Sequence, residues 1–308
     1  MAPATANRPR IDAARGAPHI CPMDRRRFLQ SAGGATAAVW LARCGPAEAV
    51  DDDAGAGAAG GSPALESIGL QLYTVRSLMA EDVEGTLAEV AGIGYREVEF
   101  AGYFEREPAR LRATLDGLGL SAPSTHLPLE TFRGDLDGAL ETAGALGHRY
   151  VVLPYLDQGE RGSLDGYRRL AAEMNGFGER CRAAGVRFGY HNHDFELAEL
   201  EGAIPLEVLL EDTDPELVTF EMDIFWIVNG GADPLSYIER YPGRFELCHV
   251  KDRSADGAMV DVGAGAIDFA AIFRRSDAAG LRHWFVEHDQ PGDPLRSIAA
   301  SYAHLAAP

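Results

Sequence analysis

Lysine is almost missing from this 308-residue chain: 27 of its 28 basic residues are arginine, and the single lysine is Lys251. Basic charge as a whole is scarce, 28 Lys plus Arg against 47 Asp plus Glu, a formal charge of −19. A surface of that sign repels phosphate, which argues against nucleic acid and anionic membranes as partners. Cysteine is scarce too. Of four, Cys21 and Cys44 fall in the first 49 residues, so Cys181 and Cys248 are too few for a disulfide framework. Cys181 sits in a helical pattern and Cys248 in an apolar run, which predicts buried thiols. No G-x-G-x-x-G follows the first apolar run, so nothing marks a nicotinamide-binding Rossmann domain; Gly263-Ala264-Gly265 lacks the third glycine at its spacing. What is present is core material. With 46% hydrophobic and 24% charged residues, most of the chain has the composition of a packed fold rather than of a disordered segment.

The N-terminus reads as an address. From Met23 the chain runs D-R-R-R-F-L-Q into an apolar stretch, Ser31 to Ala42, that is too short for the roughly 20 residues of a membrane span. Paired arginines before Phe28 and Leu29 resemble a twin-arginine export signal, and Ala47-Glu48-Ala49 offers a cleavage site. Cys44 in L-A-R-C gives an alternative, a lipid anchor, although an arginine stands where a small residue is expected. The expected organisation is a leader over 1–49, a Gly/Ala/Asp linker over 50–66 and one catalytic domain over 67–308, in a periplasmic protein. Without the leader the balance is 21 basic residues to 44 acidic, a charge of −23.

Beyond the linker, short apolar runs alternate with longer amphipathic ones. Eight runs read as strands: Ser67 to Val75, Glu97 to Phe100, Ala122 to Leu127, Tyr150 to Leu153, Arg187 to His191, Val218 to Asp223, Phe245 to Val250 and Trp284 to Glu287. Between them lie helical patterns such as Val83 to Ile93, Leu136 to Leu146 and Tyr167 to Ala184, and many end in glycine, among them Gly94, Gly119, Gly147, Gly185 and Gly280. Eight such units over about 250 residues predict a (β/α)8 TIM barrel rather than an open doubly wound sheet.

In such a barrel the chemistry gathers at the C-terminal strand ends, and unusual polar residues fall there repeatedly. Tyr73, Glu99, His126, His191, His193, Asp223, His249, Lys251 and Glu287 all sit at or just past predicted strands, and Glu221 alternates with Asp223 so that both can point inward. His191, Asp223, His249 and Glu287, on the fifth to eighth strands, combine imidazole and carboxylate in a way that suits a divalent ion, Mn²⁺, Zn²⁺, Co²⁺ or Fe²⁺. His288 and Asp289 are expected at the rim. The duller reading of each residue alone is a loop cap or a satisfied core group; four consecutive strands ending in metal-competent side chains argue against it. Lys251, in a chain otherwise arginine-only, is read as a substrate-oxygen ligand or general acid, the alternative being a surviving lysine paired with Asp252.

The motifs S-I-G-L-Q-L-Y-T-V-R, G-Y-R-E-V-E-F, S-T-H, F-G-Y-H-N-H-D-F-E, E-M-D-I-F-W-I-V-N-G-G-A-D-P, H-V-K-D and V-E-H-D resemble the sugar phosphate isomerase/epimerase family of xylose-isomerase-like barrels. That family also includes endonuclease IV, ketose 3-epimerases, inosose dehydratases and 3-keto-glycoside enzymes. The resemblance implies a metal held by Glu, Asp, His and Glu from the fifth to eighth strands, which places Asp223, His249 and Glu287 in three of the four positions. The first departs from the pattern: where many members read E-N-H, this chain reads His191-Asn192-His193. The resemblance further implies proton transfer next to a metal-bound carbonyl of a sugar or keto-sugar, with Glu287 as one base. With His191 in place of a glutamate, the second acid/base must come from Lys251, His193, Glu196 or His126, and Tyr73, Glu99, His126 and Lys251 would contact the substrate.

The expectation is therefore an exported, metal-dependent sugar isomerase, epimerase or lyase, with a homo-oligomer possible and an unphosphorylated substrate favoured. A phosphodiesterase of the endonuclease IV type conflicts with the acidic charge. A non-catalytic sugar-binding barrel with a degenerate metal site is the remaining alternative, kept open by His191.

Overall fold

The computed structural model describes residues 67–307; the leader with its twin-arginine signal, Cys44 and the linker lie outside them. Eight parallel strands close into a barrel: β1 (Gly69–Gln71), β2 (Glu97–Phe100), β3 (Ser121–His126), β4 (Tyr150–Leu153), β5 (Arg187–His191), β6 (Val218–Asp223), β7 (Phe245–Val250) and β10 (His283–Val286), with β10 pairing back onto β1. A two-stranded antiparallel ribbon, β8 (Asp252–Arg253) with β9 (Met259–Val260), projects from the loop after β7. The TIM barrel expected from the alternation is the fold observed.

The strands are short and apolar because both faces are covered. Their outward side chains, Val98, Phe188, Phe220, Cys248 and Val286 among them, pack against the ring of helices in one continuous core. Each connecting helix is set by local chemistry. Asp82 caps Val83–Ile93 by accepting from Gly85 N, Ser163 caps Leu164–Ala183 by accepting from Gly166 N, and Asp293 caps Pro294–Leu305 with proline in its first turn. Gly119 and Gly147 close their helices in the left-handed conformation, where a side chain would be strained.

The predicted elements match with local shifts. Only Gly69–Gln71 of the first run is strand; Leu72–Val75 turns into a 3-10 helix capped by the Gln71 side chain. The last helical pattern before β10 breaks into Phe269–Phe273 and Ser276–Ala279. Both Cys181 and Cys248 are buried and free. Among the described residues no helix is long and apolar enough to cross a membrane.

The barrel interior is layered by the two-residue period of the strands. Tyr150, Val152, Leu247 and Phe285 form an apolar plug of their own inside it. Two residues further along β7 and β10 stand His249 and Glu287, both buried. The register sets His191 beside Glu221 and Asp223 beside His249 across neighbouring strands, so the polar residues meet at one end.

Candidate active site

Two sets of side chains converge above the apolar plug, and His249 belongs to both. In the outer set, one ligand atom each from His191, Asp223, His249 and Glu287 lies within 4.8 Å of the other three. These are the four residues singled out as metal ligands in the sequence. In the inner set, Glu99, His126, Glu221 and His249 meet by the same measure.

Hydrogen bonds fix which nitrogen of each ring faces the other ligands. His191 Nδ1 lies 3.1 Å from the Pro154 carbonyl oxygen, which can only accept, so Nδ1 carries the hydrogen and the Nε2 lone pair faces Asp223 Oδ2 at 3.1 Å. His249 Nε2 lies between two carboxylates, 2.8 Å from Glu99 Oε2 and 3.2 Å from Glu221 Oε2. That leaves Nδ1 to face Asp223 Oδ2 at 3.7 Å and Glu287 Oε2 at 2.7 Å. Both His249 Nδ1 and Glu287 Oε2 are buried without an aligned hydrogen-bond partner. Two imidazoles tied at the far nitrogen, and two carboxylates aimed at the same point, are the donor set a divalent transition ion takes, with its outer ring of orienting bonds in place. The residues fit such an ion.

Asp223 is held on three sides. Its Oδ1 caps the short helix Ile224–Asn229 by accepting from Trp226 N, and its backbone is clamped by Asn192, whose Oδ1 accepts from Asp223 N at 3.0 Å. Asn192 thereby locks β5 to β6 beside the ligands. Burial works to raise the Asp223 pKa, but Lys251 and the two histidines reverse this and hold it well below the usual carboxylate range.

Lys251 is 1% exposed, and its Nζ lies 2.9 Å from Asp223 Oδ2, 2.7 Å from Glu287 Oε2 and 2.8 Å from Asp289 Oδ1. Burial favours the neutral amine; the three carboxylates outweigh it and keep the pKa well above the ordinary lysine value. Lys251 is therefore a fixed ammonium, suited to donating hydrogen bonds and poorly suited to releasing a proton. Asp252, its neighbour, turns the other way and accepts from the backbone N–H groups of Gly263 and Gly265 at 2.9 Å. A Cβ at Gly265 would come within 2.2 Å of Asp252 Oδ1, so the Gly-Ala-Gly stretch is a turn wrapped round a carboxylate rather than a phosphate cradle.

A cavity of about 490 Å³ opens onto this site. Tyr73, His126, His191, His193, Lys251, Glu287 and Asp289 line it, together with Tyr155 and Gln290. Asp289, expected only at the rim, thus reaches the lysine. His193 stacks on Phe195, and burial with His191 nearby holds its pKa well below the usual value, so it is neutral, with a buried Nδ1 lacking a partner. His126 bridges Glu99 and Glu221 at 3.2 and 2.8 Å; burial opposes its charge, but the two carboxylates push its pKa up to about 9.

Of the residues expected to contact the substrate or move its proton, two stand apart from the cavity. Glu99, expected at the substrate, is wholly buried one layer down, where Gln71 Nε2 at 2.7 Å and Ser124 Oγ bind it and where it orients His249. The position is penultimate in β2, so the side chain ends inside the barrel. Glu196, expected as an acid/base, lies in a 3-10 turn facing back into the protein, where it accepts from Tyr190 Oη and from His193 N. Burial raises its pKa to about 7. Sequence reasoning left out Asn192, Gln71, Ser124 and Tyr155; the Asn between two histidines was the one available signal.

The family model for xylose isomerase-like TIM barrels matches residues 87–307. The chain belongs to that family. Among relatives of this xylose isomerase-like barrel, an inosose dehydratase of Geobacillus kaustophilus (strain HTA426) is 26% identical over 268 residues, covering 71% of this chain and 83% of its own. The rhizopine catabolism protein MocC of Rhizobium meliloti is 26% identical over 263 residues, covering 72% and 79%. The crystal structure of a sugar phosphate isomerase/epimerase from Parabacteroides distasonis ATCC 8503 superposes with a TM-score of 0.70 at 28% identity, covering 79% of this chain and 95% of that one.

Proposed function

We propose that this xylose isomerase-like barrel is an exported, divalent-metal-dependent isomerase, epimerase or lyase that moves a proton beside the carbonyl of a sugar or keto-sugar. The observation that carries the reading is the convergence of His191, Asp223, His249 and Glu287, whose ligand atoms lie within 4.8 Å of one another beside a cavity that His191 and Glu287 line. A divalent ion held by these four would supply Lewis acidity to a substrate oxygen. Glu287 is held as a carboxylate despite its burial by Lys251 and His249, and it faces the cavity as the group that takes a proton. His193, neutral and with a bare nitrogen, is the second group able to pass one. The Lys251 ammonium, whose three N–H groups are taken up by Asp223, Glu287 and Asp289, supplies a fixed positive charge beside the cavity where negative charge grows.

An unphosphorylated substrate fits this cavity. Among the described residues Lys251 is the only Lys or Arg lining it, and three carboxylates already engage its ammonium. Inosose and rhizopine, named for two relatives, are the kind of ring compound intended, although neither is assigned as the substrate.

The test is proton exchange. Metal-loaded protein in heavy water, given a panel of keto-sugars and cyclitol ketones, should place deuterium at the carbon next to the ketone of at least one, read by NMR, and a chelator should stop it. Retained metal with no exchange on any ketone would overturn the reading in favour of a sugar-binding barrel. That second reading draws on Lys251, whose ammonium already touches two of the four ligand oxygens.

A further inference from the structure

Among the described residues two large apolar side chains stand exposed, Tyr73 at 41% and Tyr155 at 47%, and both line the cavity above the metal-competent residues. They come from distant parts of the chain, Tyr73 from the turn after β1 and Tyr155 from the loop after β4. Each is braced in the same way. The Arg76 guanidinium lies 3.9 Å from the centre of the Tyr73 ring and is fixed by a 2.7 Å hydrogen bond from its Nη1 to the Tyr73 carbonyl. Arg161 lies 4.5 Å from the Tyr155 ring and 3.4 Å from that of Phe195, with its Nε donating to the Leu156 carbonyl at 2.6 Å. Tyr155 also meets His193 and Phe195 edge to face at 5.1 and 5.6 Å. A cation over one side of a ring holds it in place. Flat, braced aromatic rings at the mouth of a sugar-sized cavity offer stacking surface at little cost in conformational entropy.

The groups that would act on the substrate lie deeper. His191, Lys251 and Glu287 are each 5% exposed or less, while the two tyrosine rings of the same cavity stand open to water. The cavity, about 490 Å³, falls in the range of roughly 300–1,000 Å³ that whole drug-sized ligands fill, more than one six-membered ring needs.

We infer that Tyr73 and Tyr155 form an outer subsite that stacks on a second ring, so that the substrate is a glycoside whose keto-bearing ring enters the barrel while its aglycone stays between the tyrosines. The inference rests on the proposed function for the inner ring only. Aryl and glycosyl aglycones share the apolar ring face such a subsite recognises. Binding, rather than turnover, separates this claim from the chemistry.

The experiment is calorimetric titration of metal-loaded protein with unoxidised methyl β-glucoside, phenyl β-glucoside and cellobiose, repeated for Tyr155→Ala, Tyr73→Ala and Tyr155→Phe. The two-ring ligands should bind at least tenfold more tightly than the methyl glucoside. Tyr155→Ala and Tyr73→Ala should each pull that ratio toward one, and Tyr155→Phe should keep it, with melting temperature and metal content confirming that the variants fold. Preference for the phenyl glucoside or for cellobiose tells an aryl from a glycosyl aglycone. Equal affinity for one-ring and two-ring ligands, a ratio untouched in Tyr155→Ala, or no two-ring binding at millimolar concentration would each overturn the subsite. A two-ring preference without deuterium exchange on any ketone would sink the proposed chemistry and leave the subsite standing.

Discussion

The two ends of the barrel both bury charge, but they balance it differently. At the N-terminal end, acids face bases: Glu246 meets Arg187 at 2.6 Å and accepts from Tyr150 Oη at 2.7 Å, while His283 lies 2.8 Å from Glu97 and 2.8 Å from Arg149. At the C-terminal end Glu99, Glu221, Asp223, Glu287 and Asp289 crowd round one ammonium, that of Lys251, and the imidazoles of His126, His191 and His249. One end closes on itself as a stabilising network does. The other has a surplus of negative charge, an arrangement that a bound cation completes. Within one fold, function and stability have been sent to opposite ends of the same strands.

Substitutions should pull those ends apart. Glu287→Gln should cut deuterium exchange by about 10²–10⁴-fold, the usual span for a lost acid/base, while leaving the melting temperature close to wild type. Glu246→Ala should do the reverse. It leaves Arg187 and Tyr150 without their carboxylate, a loss of about 2 kcal/mol and so a melting temperature lower by roughly 4–8 °C, with metal content and exchange retained. A Glu246→Ala protein that loses its metal would show that the ends are not independent. Placing a carboxylate there with His191→Glu should keep the ion but slow exchange by about tenfold, because an extra negative ligand weakens its pull on the substrate oxygen.

A pH-dependent effect concerns Glu196, whose burial lifts its carboxyl from an ordinary 4.5 to about 7. The folded protein holds this proton more tightly than the unfolded chain, so the contribution to stability is fully present below pH 4.5 and is lost as the pH rises to 7. Melting temperature should fall over that window in wild type, and Glu196→Gln should flatten the fall. A wild-type profile that rises there instead would remove Glu196 from the account.

Much of this was legible because a strand repeats every two residues. Leu247, His249 and Lys251 alternate with buried outward positions, as do Phe285 and Glu287, so this inward set could be read from the sequence of β7 and β10, whereas Asp289 could not. The lone lysine was equally visible. What was hidden depends on depth and loop path. Glu99 and Glu287 look alike as strand-end acids, yet one ends beneath His249 and the other at the cavity, a difference set by how far each strand runs before it turns. Glu196 is two residues past the H-N-H-D stretch, where a 3-10 turn reverses its direction. Tyr155 lies in an irregular loop after β4, where no periodicity announces which way a ring points.

The most direct measurement is the metal content of the purified domain after metal loading and desalting, wild type beside Asp223→Ala and His249→Ala. One equivalent of a divalent transition ion in wild type, and none in either variant, is the result this arrangement predicts. A wild-type domain that emerges without metal, or variants that keep it, would contradict the assignment of His191, Asp223, His249 and Glu287 as its ligands.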